Sequence, residues 1–245
     1  MSRHSAPMIA IDAGNTRIKW GLHDGTGWAD KGVIATSDAP WLGNAAAEWP
    51  ARARIVICNV AGAAVEARIS AALAGRHADI AWLHASAEAC GVRNTYECPE
   101  QLGADRWAAL IGARGQHATA CLVVCAGTAT TVDLLAADGE FRGGLILPGF
   151  DLMRAALAGN TAQLPFAEGE YRSAPRNTMD AIVSGCLNAQ AGAIERMFAG
   201  IAAAPGARCL LTGGSATRLA PCLNIPFSLA DSLILDGLVR FGTSL

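Results

Sequence analysis

The sequence is short of lysine. Of its 19 basic residues only Lys19 and Lys31 are lysines, and these and the 17 arginines form no cluster among 21 acidic residues. A chain without a basic patch or stripe lacks the electrostatic footprint of a nucleic-acid surface, so no nucleic-acid partner is expected. Uninterrupted apolar runs are missing as well. The stretch Gly115–Val132 carries no Asp, Glu, Lys or Arg, but Gln116, His117 and four threonines make it too polar for hydrocarbon, and no membrane span is expected. Met1–Pro7 has one charge and no apolar core, unlike a secretory leader. The eight cysteines contain no Cys-x-x-Cys pair and the five histidines show no ligand spacing, which excludes a recognisable zinc site and points to reduced thiols in the cytoplasm. Cys121 and Cys125, four apart in one strand, read as small buried hydrophobes.

What remains is a chain of 245 residues, 52% hydrophobic, with 51 alanines, 27 glycines and a net charge of −2. That is the composition of a soluble globular protein with one large domain or two small ones.

The apolar run Met8–Ile11 ends in Asp12-Ala13-Gly14-Asn15-Thr16, and strict alternation resumes through Ile18, Trp20 and Leu22 to Asp24-Gly25. Alternation on both sides of a Gly turn predicts a β-meander, whereas a dinucleotide-binding loop would be followed at once by a helix. Helical spacing then marks Ala39–Trp49, Val65–Leu73 and Ala104–Gly115, with short buried strands at Arg54–Cys58 and Ile80–His84. Near the middle the opening returns. Asp12-Ala13-Gly14 corresponds to Cys125-Ala126-Gly127, and Asp24-Gly25 to Asp138-Gly139. A second meander through Leu147 is followed by helices at Asp151–Leu157 and Met179–Phe198, a strand at Arg208–Thr212 and a C-terminal helix from about Ser228. The pattern predicts an α/β chain built from two similar halves, 1–117 and 118–245.

Several segments carry chemistry. In Asp12-Ala-Gly-Asn-Thr-Arg-Ile-Lys19, Gly14 allows close backbone approach to a ligand and successive N–H groups form an anion-binding concavity. Asn15 and Thr16 add donors, Lys19 adds a compact cation for phosphate, and Asp12 at the strand end can hold Mg²⁺ directly or through water. The same residues also suit a plain hairpin turn. Gly127-Thr128-Ala129-Thr130-Thr131 is the second such loop. Two loops from rigid lobes can clamp a polyphosphate, and a Thr-rich strand is the simpler alternative. In Gly103-Ala104-Asp105-Arg106, Asp105 reads either as a first-turn helix residue or as a general base beside an anion-holding arginine. Gly213-Gly214 closes a strand and offers bare backbone to an adenine or ribose, and Asn177-Thr178 caps the long helix.

As an ordered set these segments resemble the type III pantothenate kinases of the acetate and sugar kinase, Hsp70 and actin superfamily. The matching residues are Asp12-x-Gly-Asn-Thr-Arg-x-Lys19, Asn94-x-Tyr96, Gly103-x-Asp105-Arg106 and Gly127-Thr-Ala-Thr-Thr-x-Asp133. They continue through Gly143-Gly144-x-Ile146-x-Pro148-Gly149, Thr161-Ala-x-Leu-Pro165, Asn177-Thr178 and Thr212-Gly-Gly214. The resemblance implies two RNase H-like lobes with mixed five-stranded sheets and a central cleft holding ATP. It implies that Asp12, Gly14, Asn15, Thr16, Arg17 and Lys19, with Gly127, Thr128, Thr130, Gly213 and Gly214, bind ATP and Mg²⁺. Tyr96, Gly103, Ala104, Asp105 and Arg106 would hold pantothenate, with Asp105 accepting the proton of its primary hydroxyl to yield 4′-phosphopantothenate for coenzyme A. Thr178 would reach the pantothenate site of the neighbouring subunit in a cytoplasmic homodimer with shared sites. The family has aspartate at the start of the second loop, where it helps bind K⁺ or NH₄⁺. Here that position is Cys125, a poor ligand for a hard cation, so either other oxygens serve or cation dependence is weakened. Met1–Pro7 precedes the usual family start, with Met8 the expected initiator or the extension a tail. A non-catalytic regulator on the same fold, or a superfamily kinase with another acceptor, are the alternative functions.

Overall fold

The computed structural model describes residues 6–76, 79–161, 164, 166 and 168–245. Most of the leading segment, and Ala162, Gln163 and Pro165 of the Thr161–Pro165 motif, lie outside the described residues.

In chain order the elements are β1 (Met8–Ala13), β2 (Arg17–His23), β3 (Trp28–Ala35), α1 (Leu42–Ala47), β4 (Arg54–Asn59), α2 (Ala63–Leu73) and β5 (Ile80–Trp82). They continue with β6 (Glu88–Ala89), β7 (Val92–Asn94), α3 (Ala104–Gln116), β8 (Cys121–Ala126), β9 (Ala129–Leu135) and β10 (Glu140–Pro148). The rest are α4 (Phe150–Asn160), α5 (Thr178–Phe198), β11 (Arg208–Thr212), α6 (Ala216–Leu219), β12 (Phe227–Leu229) and α7 (Leu233–Thr243).

Two compact units result. The first runs to Gln116 and takes in Ser232–Leu245; the second is His117–Asp231. In the first, the sheet order is β3-β2-β1-β4-β5, antiparallel across β3, β2 and β1 and parallel across β1, β4 and β5. Within the second, β10-β9-β8-β11-β12 repeats that order and those directions, strand for strand. The duplication expected from the paired Gly loops is therefore present as topology, and the fold is the expected α/β, RNase H-like one, used twice.

Every residue of β1 is buried, because helices cover both faces of the sheet. Ile9, Ile11, Ile55 and Ile57 pack with Val65, Ile69 and Leu73 of α2 on one face. Met8 and Val56 point to the other face, where α7 lies so close that a methyl group on Gly242 would come within 2.6 Å of both. Asp12 and Cys58 share the alternation of Met8 and Val56, so they too belong to this second face. There α7 also crosses α3 at a pair of glycines. A Cβ on Gly237 would lie 1.8 Å from the carbonyl oxygen of Ala108, and one on Gly112 would lie 2.2 Å from that of Leu233.

Three expectations need correction. The C-terminal helix starts later than Ser228, which lies in β12 in parallel register with Leu210; α7 begins at Leu233. Its residues also fold with the first unit, not with the half in which the sequence places them. The Ala39–Trp49 stretch splits into a 3-10 turn over Thr36–Trp41, containing Pro40, and the short α1. Proline removes the amide that a continuous helix would need. The β6–β7 hairpin, unforeseen, turns at Cys90 (φ 51°) and Gly91 (φ 75°), the pair of positive φ values that a tight two-residue hairpin requires.

Candidate functional site

In open α/β sheets, ligands gather beyond the carboxyl ends of the parallel strands. In the first unit those ends are Asp12-Ala13 of β1 and Cys58-Asn59 of β4. The Gly14–Arg17 turn is closed by the Gly14 amide donating to the Arg17 carbonyl at 3.0 Å. Thr36 fixes it from the side: its hydroxyl donates to the Gly14 carbonyl at 2.7 Å and its amide to that of Thr16 at 3.1 Å. Asn15, Thr16 and Arg17 stay exposed at the tip. No spacing in the chain marks Thr36; the β2–β3 pairing brings it here.

Asp12 is 7% exposed in an otherwise apolar strand. Burial pushes its carboxyl up to about 6, while Lys19, directly opposite in the β1–β2 register, pulls it down and the nearby Asp105 pushes it further up. The fully buried Cys58 thiol donates to Asp12 Oδ1 at 3.6 Å. Asp105 opens α3, and the Arg106 amide donates to its Oδ1 at 2.8 Å. Its carboxyl is raised by burial, against the pull of that amide and of the Arg106 charge. A methyl group on Gly103 would come within 2.7 Å of Asp105 Oδ1 and 3.8 Å of Val60 Cγ1, which places the carboxylate beside the turn that leaves β4. That turn is itself anchored by the Val60 amide on the Ala13 carbonyl (3.0 Å) and by the Ala61 amide on Asn59 Oδ1 (2.9 Å). Asp12, Lys19, Cys58 and Asp105 therefore form one group at the strand ends.

Beside it, Arg106 is 4% exposed and its Nη1 donates to Tyr96 Oη at 2.8 Å, with its guanidinium carbon 5.6 Å from the Tyr96 ring centre. Asn94 orders the approach, accepting from the Tyr96 amide at 3.1 Å and donating to the Pro99 carbonyl at 3.1 Å. Ala104 is buried at the start of α3.

The second unit presents a similar set of strand ends. Gly127 and Thr128 are exposed between β8 and β9, and the loop is held by the Gly127 amide on the Ala129 carbonyl (3.0 Å) and the Gly149 amide on the Thr128 carbonyl (2.9 Å). Gly213, at the end of β11, takes φ 103°, and any Cβ there would fall 2.3 Å from the Ala126 carbonyl. The Ser215 amide donates to that same carbonyl at 3.0 Å, tying the Gly213-Gly214 turn to the loop at Gly127. Thr130 departs from expectation. It is fully buried and its hydroxyl donates to Gln190 Oε1 of α5 at 2.8 Å, so its side chain braces the sheet and is not offered to a phosphate. Cys125 is half-buried, opposite Thr131, whose buried hydroxyl has no hydrogen-bond partner. Thr178 is exposed in the first turn of α5, and Asn177 caps that helix by accepting the Asp180 amide at 2.9 Å. Asn177 thus takes the capping role expected of the pair, and Thr178 is the first residue of the helix.

Among the described residues no cluster of three or more His, Cys, Asp or Glu could by itself cage a metal ion, and no helix is long and apolar enough to cross a membrane. A lone buried carboxylate does fit Mg²⁺ held mainly by substrate phosphates, which uses one or two carboxylates and keeps waters. At position 125 a thiol, a poor ligand for a hard cation, lies opposite the Thr131 hydroxyl.

The sequence profile described as Type III pantothenate kinase matches residues 8–200. A protein of that description from Aromatoleum aromaticum is 64% identical over 94% of this chain and 96% of its own length. Among solved structures, a conserved candidate transcriptional activator of the Baf family from Campylobacter jejuni superposes with a TM-score of 0.66 at 19% identity, covering 97% of this chain and 98% of that one. MreB5 of Spiroplasma citri bound to ADP gives 0.56 at 10% identity, covering 98% and 97%.

Proposed function

Since the chain belongs to the type III pantothenate kinase family, and so is a phosphotransferase acting on pantothenate in coenzyme A biosynthesis, we propose that the strand-end group of the first unit carries its chemistry. The carrying observation is the convergence of Asp12, Lys19 and Asp105 beside the Arg106–Tyr96 pair.

Phosphoryl transfer from ATP asks little covalent chemistry of a protein; it asks for position and for neutralised charge. The turn at Gly14, with the Asn15, Thr16 and Arg17 donors and the Lys19 ammonium, takes the phosphates. In the second unit the exposed Gly127–Thr128 loop and the Gly213-Gly214 turn serve the nucleotide. Asp12 would hold Mg²⁺, which when bound screens the charge on the phosphates. Tyr96 and Arg106, already locked to one another, orient pantothenate through its carboxylate and hydroxyls. Asp105 accepts the proton of the attacking primary hydroxyl, and burial, which raises its carboxyl, makes it a stronger base than a free aspartate. Thr178 contributes from the neighbouring subunit of a cytoplasmic homodimer. The thiol at Cys125, a poor ligand for a hard cation, weakens dependence on K⁺ and NH₄⁺.

The test is Asp105→Asn in a coupled assay of pantothenate-dependent ADP release. The expected result is a loss of kcat of about 10²–10⁴-fold in a variant that melts no lower than wild type. A variant with near wild-type kcat overturns the assignment.

A further inference from the structure

The Cys58 side chain has no place in the roles described so far, yet it touches the group at their centre. Its thiol is completely buried at the end of β4, in register with Asp12 across the parallel β1–β4 pair, and the S–H points at Asp12 Oδ1 across 3.6 Å. The thiol is the donor and the carboxylate the acceptor in this contact.

The neighbours limit what else the thiol can be. Complete burial closes it to modification from solvent. Lys19 approaches Asp12 from β2, on the other edge of β1, and the thiol approaches from β4. The carboxylate is therefore held between a cation on one side and a neutral donor on the other. Free rotation of the buried carboxylate about its terminal torsion is otherwise soft, since such sp³–sp² torsions have broad wells. One hydrogen bond to a single oxygen fixes which oxygen is left for a ligand.

We infer that Cys58 is a positioning residue for phosphoryl transfer: its thiol anchors Oδ1 of Asp12 and thereby aims Oδ2 at the metal–phosphate site. The inference rests on the proposed role of Asp12. It predicts that a donor at position 58 matters and that sulfur itself does not.

The experiment compares Cys58→Ser, Cys58→Val and Asp12→Asn in the full-length protein. Serine keeps a donor, and valine keeps the volume without one. Two readouts are taken: steady-state kinetics with pantothenate and ATP, and calorimetric binding of ADP with and without Mg²⁺, which does not depend on turnover. Cys58→Val is expected to lower kcat about tenfold at unchanged KM for pantothenate, and to cut the Mg²⁺-dependent gain in ADP affinity by a similar factor. Cys58→Ser is expected to recover most of both losses. Unchanged kcat and unchanged Mg²⁺ gain in Cys58→Val overturn the inference, as does a Cys58→Ser variant that melts like wild type but fails as badly as valine. If Cys58→Val does not fold, Cys58→Ala, which also lacks the donor, takes its place against the serine variant and wild type. Retained activity in Asp12→Asn would instead overturn the role of Asp12 on which the inference stands, so the two failures are told apart.

Discussion

Removing the negative charge of Asp12 should make the protein more stable while disabling it. The folded protein raises that carboxyl from 3.8 to about 6 because burial outweighs the attraction of Lys19. A carboxyl that binds its proton more tightly when folded adds stability at low pH, and loses it as pH climbs through the folded value. Below about pH 4 the folded and unfolded chains are both protonated here, and the site costs nothing. Between pH 4 and 6 the cost grows, and above that it is constant at about 3 kcal/mol, from roughly 1.4 kcal/mol per pH unit. Asn has the shape of protonated Asp and never charges. Asp12→Asn should therefore match wild type near pH 4 and exceed it by up to about 3 kcal/mol at pH 8, equivalent to about 6–12 °C in melting temperature for a chain of this size. The assay is thermal melting from pH 4 to 8 in chelator, without nucleotide. ATP with Mg²⁺ should then stabilise wild type and leave Asp12→Asn nearly unmoved. A variant that melts lower than wild type at pH 8, or whose advantage is the same at pH 4, would refute the reasoning.

Two further outcomes follow from the same geometry. Gly237→Ala drives a Cβ to 1.8 Å from the Ala108 carbonyl, so α7 must separate from α3; a loss of about 1–3 kcal/mol or more is expected by chemical denaturation. Gly192→Ala, in mid-α5 with open space around its Cβ, should instead gain about 0.5–1 kcal/mol, and a reversed order would contradict the crossing described. Exchange of Na⁺ for K⁺ should change kcat by less than about twofold, whereas Cys125→Asp should create a K⁺ response, since a carboxylate suits a hard cation far better than a thiol does. A strong K⁺ response in wild type would show that other oxygens serve.

The repeated meander was legible because both devices that encode it are local: alternation of period two and a Gly turn. The same logic located Asp12 at a strand end and Asp105 at a helix start. Thr36 and Cys58 were invisible for the opposite reason. Each reaches the site through strand pairing, Thr36 from the end of β3 and Cys58 from the end of β4, and no spacing in the chain records which strands will be neighbours. Thr130 misled because its neighbours in the loop are exposed and only alternation turns it inward toward Gln190. The late start of α7 has a similar cause. Phe227–Leu229 is apolar enough for either structure, and the free edge of β11 takes it as a strand.

The return of Ser232–Leu245 to the first unit sets an order of assembly. During translation β1–β5 and α3 emerge early, but the surface of α3 around Gly112 has no cover until all of residues 117–231 has been made and α7 follows. Until then the first unit keeps that apolar helix face uncovered, the state in which nascent chains engage chaperones. The packing of α7 on β1, Gly242 against Met8, also joins positions far apart in sequence, which slows refolding.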